Sequence, residues 1–139
     1  MKIRGLAPKL PLTRDYEDGF SLIKNHVDMV RQNVKMILLT APGERIMDPE
    51  FGVGLMTYLF ENNTRQTQNA IDSKIREQLE AYMPYVEIME ISFDNTDTNP
   101  EISENYLNIS MKYYIEPLEE VDVIDLDFDL SKRLLINER

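Results

Sequence analysis

From Val27 onward, apolar side chains recur at steps of three and four: Val27, Val30, Val34, Ile37 and Leu38. That spacing lays one stripe along one face of a helix. Asn25 stands where a helix cap is needed, with Asp28 three residues on in place of the usual Glu or Gln of a capping box. Ala41-Pro42-Gly43 stops the pattern. A second stripe, Ala70, Ile71, Ile75, Leu79 and Tyr82, predicts a helix from about Thr64 to Tyr82, ended by Pro84, while Lys74, Arg76, Glu77 and Glu80 fall largely elsewhere. Between the two helices, Gly43 to Gly52 reads as an ordered loop and Leu55 to Phe60 as one or two further helical turns.

After Pro84 the period drops from 3.6 to 2, the signature of strands with one buried and one wet face. Met89, Ile91 and Phe93 alternate with Ile88, Glu90 and Ser92, and Leu107, Ile109, Met111 and Tyr113 alternate with Asn108, Ser110 and Lys112. Ile124, Leu126, Phe128 and Leu130 alternate with Asp125, Asp127 and Asp129. Asp94 to Glu104, rich in Asn, Asp, Thr and Pro, reads as the hairpin loop between the first two strands. Upstream, Pro8 and Pro11 predict an extended arm over residues 1–15 that lies over the domain or reaches a neighbour, and Phe20, Leu22 and Ile23 a short edge strand. The expected fold is α+β, two main helices packed on one face of a small, mostly antiparallel β-sheet, with a single domain over 16–139 behind the arm.

Composition narrows the chemistry chiefly by exclusion. A chain of 139 residues is long enough for one domain with its own core. Without cysteine, structural disulfides, zinc–thiolate sites, iron–sulfur clusters and cysteine nucleophiles are all ruled out. The longest strongly apolar run, Met36 to Leu39, falls far short of the roughly 20 residues a membrane span needs. Pro8 and Pro11 interrupt the segment after the basic Lys2 and Arg4, so no signal peptide is expected either. With 25 acidic against 15 basic residues the net charge is −10, which opposes binding to phosphate backbones; neither nucleic acid nor membrane is an expected partner. Charge is also uneven: residues 1–11 carry Lys2, Arg4 and Lys9 with no acid, while Glu116 to Asp129 carries seven acids and no base. Such polarity suits registration between neighbouring subunits, and equally a solvated face.

Catalytic patterns are scarce. The single histidine, His26, opens the first helix with no Ser, Cys or second His nearby, a surface or capping position. The five glycines make no phosphate-binding loop. Glu44, Asp48 and Glu50 cluster in the 43–52 loop, and a glycosidase needs two carboxylates, but loop caps and salt-bridge partners explain them as well. Asp125, Asp127 and Asp129 lack the turns and glycine of a calcium loop. No catalytic residue, cofactor or metal site is therefore expected.

The densest pattern in the chain is Leu38-Leu39-Thr40-Ala41-Pro42-Gly43-Glu44-Arg45-Ile46-Met47-Asp48-Pro49-Glu50-Phe51-Gly52, followed by Leu55 and Leu59-Phe60-Glu61-Asn62. It resembles the phage baseplate wedge proteins related to gene product twenty-five of T-even phages. Relatives of that family include the type VI secretion baseplate subunit TssE, the adaptor IraD and proteins once labelled acidic lysozyme-like. The resemblance covers roughly residues 20 to 130 in element order. It implies a non-enzymatic structural subunit of a contractile phage tail baseplate, made in the host cytoplasm and built into the virion. There it would join the wedge to the first sheath ring and template sheath assembly. Implied partners are the other baseplate wedge proteins and the tail sheath protein, with about six copies per baseplate acting together. The alternatives are a baseplate subunit of a type VI secretion or extracellular contractile injection system, and a peptidoglycan-cleaving lysozyme-like enzyme.

Three groups of residues are expected to meet partners. In the loop, Gly43 takes a left-handed turn, Arg45 bonds carbonyls or Glu44, Pro49 stiffens the chain and Phe51 anchors it beside Gly52. That leaves Glu44, Arg45, Asp48, Pro49 and Glu50 on a rigid, solvent-facing surface. Members of the family usually carry Glu-Pro-Arg just after the second long helix, a motif held to contact the helical core of the wedge. Here those positions read Met83-Pro84-Tyr85, so any bidentate Arg contact is lost and docking there falls to apolar and aromatic groups or moves elsewhere. The resemblance further implies that Val121 to Leu130 pairs with a sheath strand through its main chain, with Asp125, Asp127 and Asp129 as the row that selects a basic complement.

Overall fold

The computed structural model describes residues 5–58, 60–62, 64–94, 106–129 and 137–138, through their backbone alone for Asp129, Asn137 and Glu138. Short pairings open the chain: β1 (Ala7–Pro8) runs antiparallel to β4 (Leu22–Ile23), and β2 (Arg14–Asp15) to β3 (Gly19–Phe20). Residues 7–15 thus fold back on 19–23. Gln32 fastens this segment to the first helix, its Oε1 accepting from the Leu10 N–H and its Nε2 donating to the Pro8 carbonyl, both at 3.0 Å.

Helix α1 spans His26–Leu39, and Asn25 caps it by accepting from the Val27 N–H at 2.9 Å. Its stripe is buried at Val30, Val34, Ile37 and Leu38. After a one-turn helix α2 (Leu55–Tyr58), α3 runs Arg65–Tyr82 behind a Thr64 cap. Ile71, Ile75 and Leu79 are buried as their spacing requires, but Ala70 is exposed and the fourth buried position is Gln78. No described helix is long and apolar enough to cross a membrane.

Strands β5 (Val86–Asp94), β6 (Tyr106–Ile115), β7 (Glu120–Asp129) and β8 (Asn137–Glu138) form one antiparallel sheet in chain order. A 3-10 turn at Glu116–Leu118 joins β6 to β7, with Glu119 in the left-handed region at φ 52°. The inner face of β6, from Leu107 to Ile115 at every second residue, is buried, as are Ile124, Leu126 and Phe128 of β7. Helices α1 and α3 pack on this face, so the fold is the expected α+β arrangement in one small domain.

Two sheet details depart from expectation. A bulge between Ile88 and Glu90 inserts Met89, so Val86 and Ile88 point inward with Ile91 and Phe93, while Met89 is exposed. One extra residue inverts the side-chain parity of a strand, which a simple alternation cannot show. Beyond the three alternating runs a further strand appears, since β8 pairs with β7 at Leu126 and Asp127. Leu130 and residues 95–104 of the proposed hairpin loop lie outside the described residues.

Candidate functional site

Residues 41–54 form a loop whose backbone is tied at every turn. The Gly43 N–H donates to the Pro49 carbonyl (2.7 Å), Glu44 N–H to Ala41 (3.0 Å), Phe51 N–H to Asp48 (3.2 Å) and Val53 N–H to Ile37 (2.9 Å). The Glu44 carboxylate, still exposed, folds back along the loop and accepts from the Ala41 N–H at 2.9 Å, acting as a brace. From α3, Gln78 grips the far limb: its Oε1 accepts from the Gly52 N–H (2.8 Å) and its Nε2 donates to the Glu50 carbonyl (3.1 Å). An otherwise costly buried amide is thereby satisfied.

Phe51 is buried and meets Tyr82 edge-on, with ring centroids 4.9 Å apart. The Arg45 guanidinium lies 3.8 Å above the Phe51 ring, a cation–π contact. Arg45 was expected to bond carbonyls or Glu44; it caps the aromatic anchor instead. Tyr82 donates its phenol proton to Asp48 at 2.7 Å, and that bond is the main reason its pKa is raised. The loop therefore has a polar and aromatic base, while Pro49 and Glu50 are exposed. At its apex, Ile46 and Met47 are 94% and 96% exposed.

At the junction after α3, the Met83 side chain is only 4% exposed and belongs to the core, so it cannot meet a partner as expected. The apolar phase of α3 runs through its cap and draws Met83 inward. Pro84 is exposed and Tyr85 half-buried, which leaves those two at the surface.

On the outer sheet face, Asp125 stands opposite Ser110, and Asp127 opposite Asn108. Asp127 is engaged within the sheet, accepting from the Asn108 amide and from the Tyr106 hydroxyl (3.0 Å). Asp129 lies on the same strand opposite Tyr106. With β8 pairing only at Leu126 and Asp127, the outer edge of β7 from Glu120 to Asp125 has no strand beside it among the described residues. No group of three potential metal ligands occurs among the described residues.

The baseplate wedge protein gp25 family matches residues 24–117. The chain belongs to that family. Among gp25 relatives, the baseplate wedge protein gp25 of Enterobacteria phage T4 is 28% identical over 106 residues, 76% of each chain. The cryo-EM structure of the anti-feeding prophage baseplate, solved with 6-fold symmetry, contains a chain with a TM-score of 0.67 and 25% identity. That alignment covers 79% of this chain and 84% of the other. A provisionally named tail lysozyme from Geobacter sulfurreducens shares the fold at a TM-score of 0.63 and 23% identity, over 79% of this chain and 96% of its own. As a member of the gp25 family the chain is a subunit of a contractile baseplate, assembled with other baseplate components. The matched span contains the loop and the Met83-Pro84-Tyr85 junction; β7 lies beyond it.

This gp25-family chain also carries a polar brace that its hydrophobic periodicity does not reveal. Arg31 of α1 forms a two-pronged pair with Asp122 of β7, Nε to Oδ2 at 2.8 Å and Nη2 to Oδ1 at 2.5 Å. The Tyr113 hydroxyl, inside the core, donates to the same carboxylate at 2.7 Å. Burial alone would raise the Asp122 pKa, but the bonds from Arg31 and Tyr113 outweigh it and hold the carboxyl below its ordinary value. Burial, then the bond to Asp122, pushes the Tyr113 phenol up and keeps it a donor. A carboxyl with a depressed folded pKa contributes stability above its unfolded value of 3.8, and that contribution is lost as pH falls through the lower folded value. Arg31→Met is therefore expected to cost about 2 kcal/mol at neutral pH, since Arg31 is partly solvated, and to flatten the acid limb of the stability profile. Urea unfolding measured from pH 7 down to 3 checks both; equal loss at every pH would show that the pair does not titrate with folding.

Proposed function

We propose that this chain is a non-catalytic coupler of a contractile phage tail, joining the baseplate wedge to the first ring of the sheath and setting the sheath's starting register. Membership of the gp25 family supports the baseplate part of the reading. The sheath part rests on one observation, the open outer edge of β7 from Glu120 to Asp125. An exposed strand edge accepts a partner strand through main-chain hydrogen bonds, and alternate side chains select it. Val121, Val123 and Asp125 offer that edge two apolar contacts and an acid, a pattern that favours a strand carrying apolar and basic residues. The loop and the Pro84–Tyr85 corner then face the wedge. About six copies, in keeping with tail symmetry, let modest single contacts hold the ring. The likeness to the anti-feeding prophage baseplate favours an extracellular injection device as the second reading, with the same physical role.

A Val123→Lys/Asp125→Lys variant tests the sheath contact. Both side chains lie on the outer face, so folding stability is expected to stay within about 0.5 kcal/mol of the parent. Baseplates should still incorporate the variant, but tails should lack sheath in electron micrographs. Normally sheathed tails would remove β7 from the interface. A peptidoglycan-digestion assay with the parent chain and Glu44→Gln should show no clearing by either; Glu44-dependent clearing would overturn the non-catalytic role.

A further inference from the structure

Ile46 and Met47 sit side by side at the apex of the 41–54 loop, more exposed than any other apolar pair in the loop. Nothing in the fold requires them to be apolar, because neither reaches the core. Their backbone is nonetheless held from both limbs, by the Gly43–Pro49 bond and by the grip of Gln78 on Glu50 and Gly52. A surface loop tied this firmly has little conformational entropy left to lose on association. Along the chain the pair is flanked by Glu44, Asp48 and Glu50, of which Glu44 and Glu50 are exposed, and the adjacent cation, Arg45, is turned back onto Phe51. An exposed apolar pair flanked by acids suits a contact with an apolar centre and a charged rim.

We propose that Ile46 and Met47 form a knob that seats in an apolar pocket rimmed by Lys or Arg on a different baseplate polypeptide. This rests on the baseplate reading and adds the contact and the chemistry of its partner. The flanking acids favour a basic complement and oppose an anionic lipid surface. A second copy of the chain is a poorer fit. Its cleft of about 730 Å³ between residues 9–11 and α1 has an apolar floor, but two of the four cations lining it are already paired. Lys24 pairs with Asp18 at 3.5 Å, and Arg31 with Asp122. Glu44 also lines that cleft, so knob and cleft lie side by side on one chain.

The test uses assembled particles carrying a benzophenone amino acid at Met47, together with an Ile46→Ser/Met47→Ser variant. Irradiation is expected to join Met47 to another baseplate polypeptide, at a peptide with apolar residues and Lys or Arg close by. The double variant should melt like the parent, because both side chains are solvated, yet enter baseplates about tenfold less efficiently. Crosslinking only to a second copy, no crosslink in particles that contain the chain, or normal incorporation of the double variant would each overturn the knob while leaving the baseplate reading intact. Absence of the parent chain from purified baseplates would overturn both.

Discussion

Gly52→Ala is expected to destabilise the domain by about 2–6 kcal/mol. Gly52 sits at φ 107°, a conformation that side chains rarely adopt, and holding alanine there costs about 1–3 kcal/mol. An added Cβ would also overlap the carbonyl of Thr40, the residue that closes α1. Backbone cannot swing aside as a flexible side chain can, so forced overpacking adds roughly another 1–3 kcal/mol. Relief by moving the Gly52 backbone would break its bond to Gln78 and leave a buried N–H unsatisfied. Gly43→Ala provides the control. It has a φ of 87° but open space where the Cβ would go, so only the conformational cost of about 1–3 kcal/mol should appear. Urea unfolding of the two variants side by side separates strain from collision; equal losses would show that the Thr40 contact yields freely.

Phe51→Ala should cost about 3–5 kcal/mol, the range for removing a buried aromatic ring. Here the ring fills the space between Tyr82 and the Arg45 guanidinium. Its loss opens a void that the loop cannot close, because the Gln78 bonds pin the backbone on either side. Arg45 would be released into solvent, and the apex with it would lose one of its supports. Thermal melts of parent and variant, with near-ultraviolet circular dichroism to follow aromatic packing, measure the effect. A melting point close to the parent's would mean that the ring contributes little to the core. Phe51 and Gly52 share one seat, so their double variant should lose less than the sum of the two single losses.

Both helices and the inner faces of β6 and β7 were legible in the sequence because long periodic runs leave little choice of phase. What escaped were polar residues riding on those same phases. Arg31 follows Val27 by one turn on the α1 stripe, and Gln78 lies between Ile75 and Leu79 on α3. Asp122 falls two residues before Ile124, on the inward parity of β7 and opposite Tyr113. A polar group in a core phase must find a partner, so each could have been flagged as half of an unknown pair. Only the tertiary fold says which half belongs to which: Arg31 and Asp122 are 91 residues apart. Met89 misled for the opposite reason, since a bulge leaves local hydrophobicity unchanged while moving a side chain to the other face. Within the loop, residue type pointed to the charged positions. Exposure picks out Ile46 and Met47, which an apolar pattern alone would have sent inward. β8 has just two residues and no alternation to betray it.

That short strand gives β7 a built-in end-stop. By covering Leu126 and Asp127 it leaves about 17 Å of margin from Glu120 to Asp125 with no strand beside it among the described residues. A partner strand added to that margin, as proposed, would halt where β8 begins, so its length and phase would be gauged before any side chain is compared.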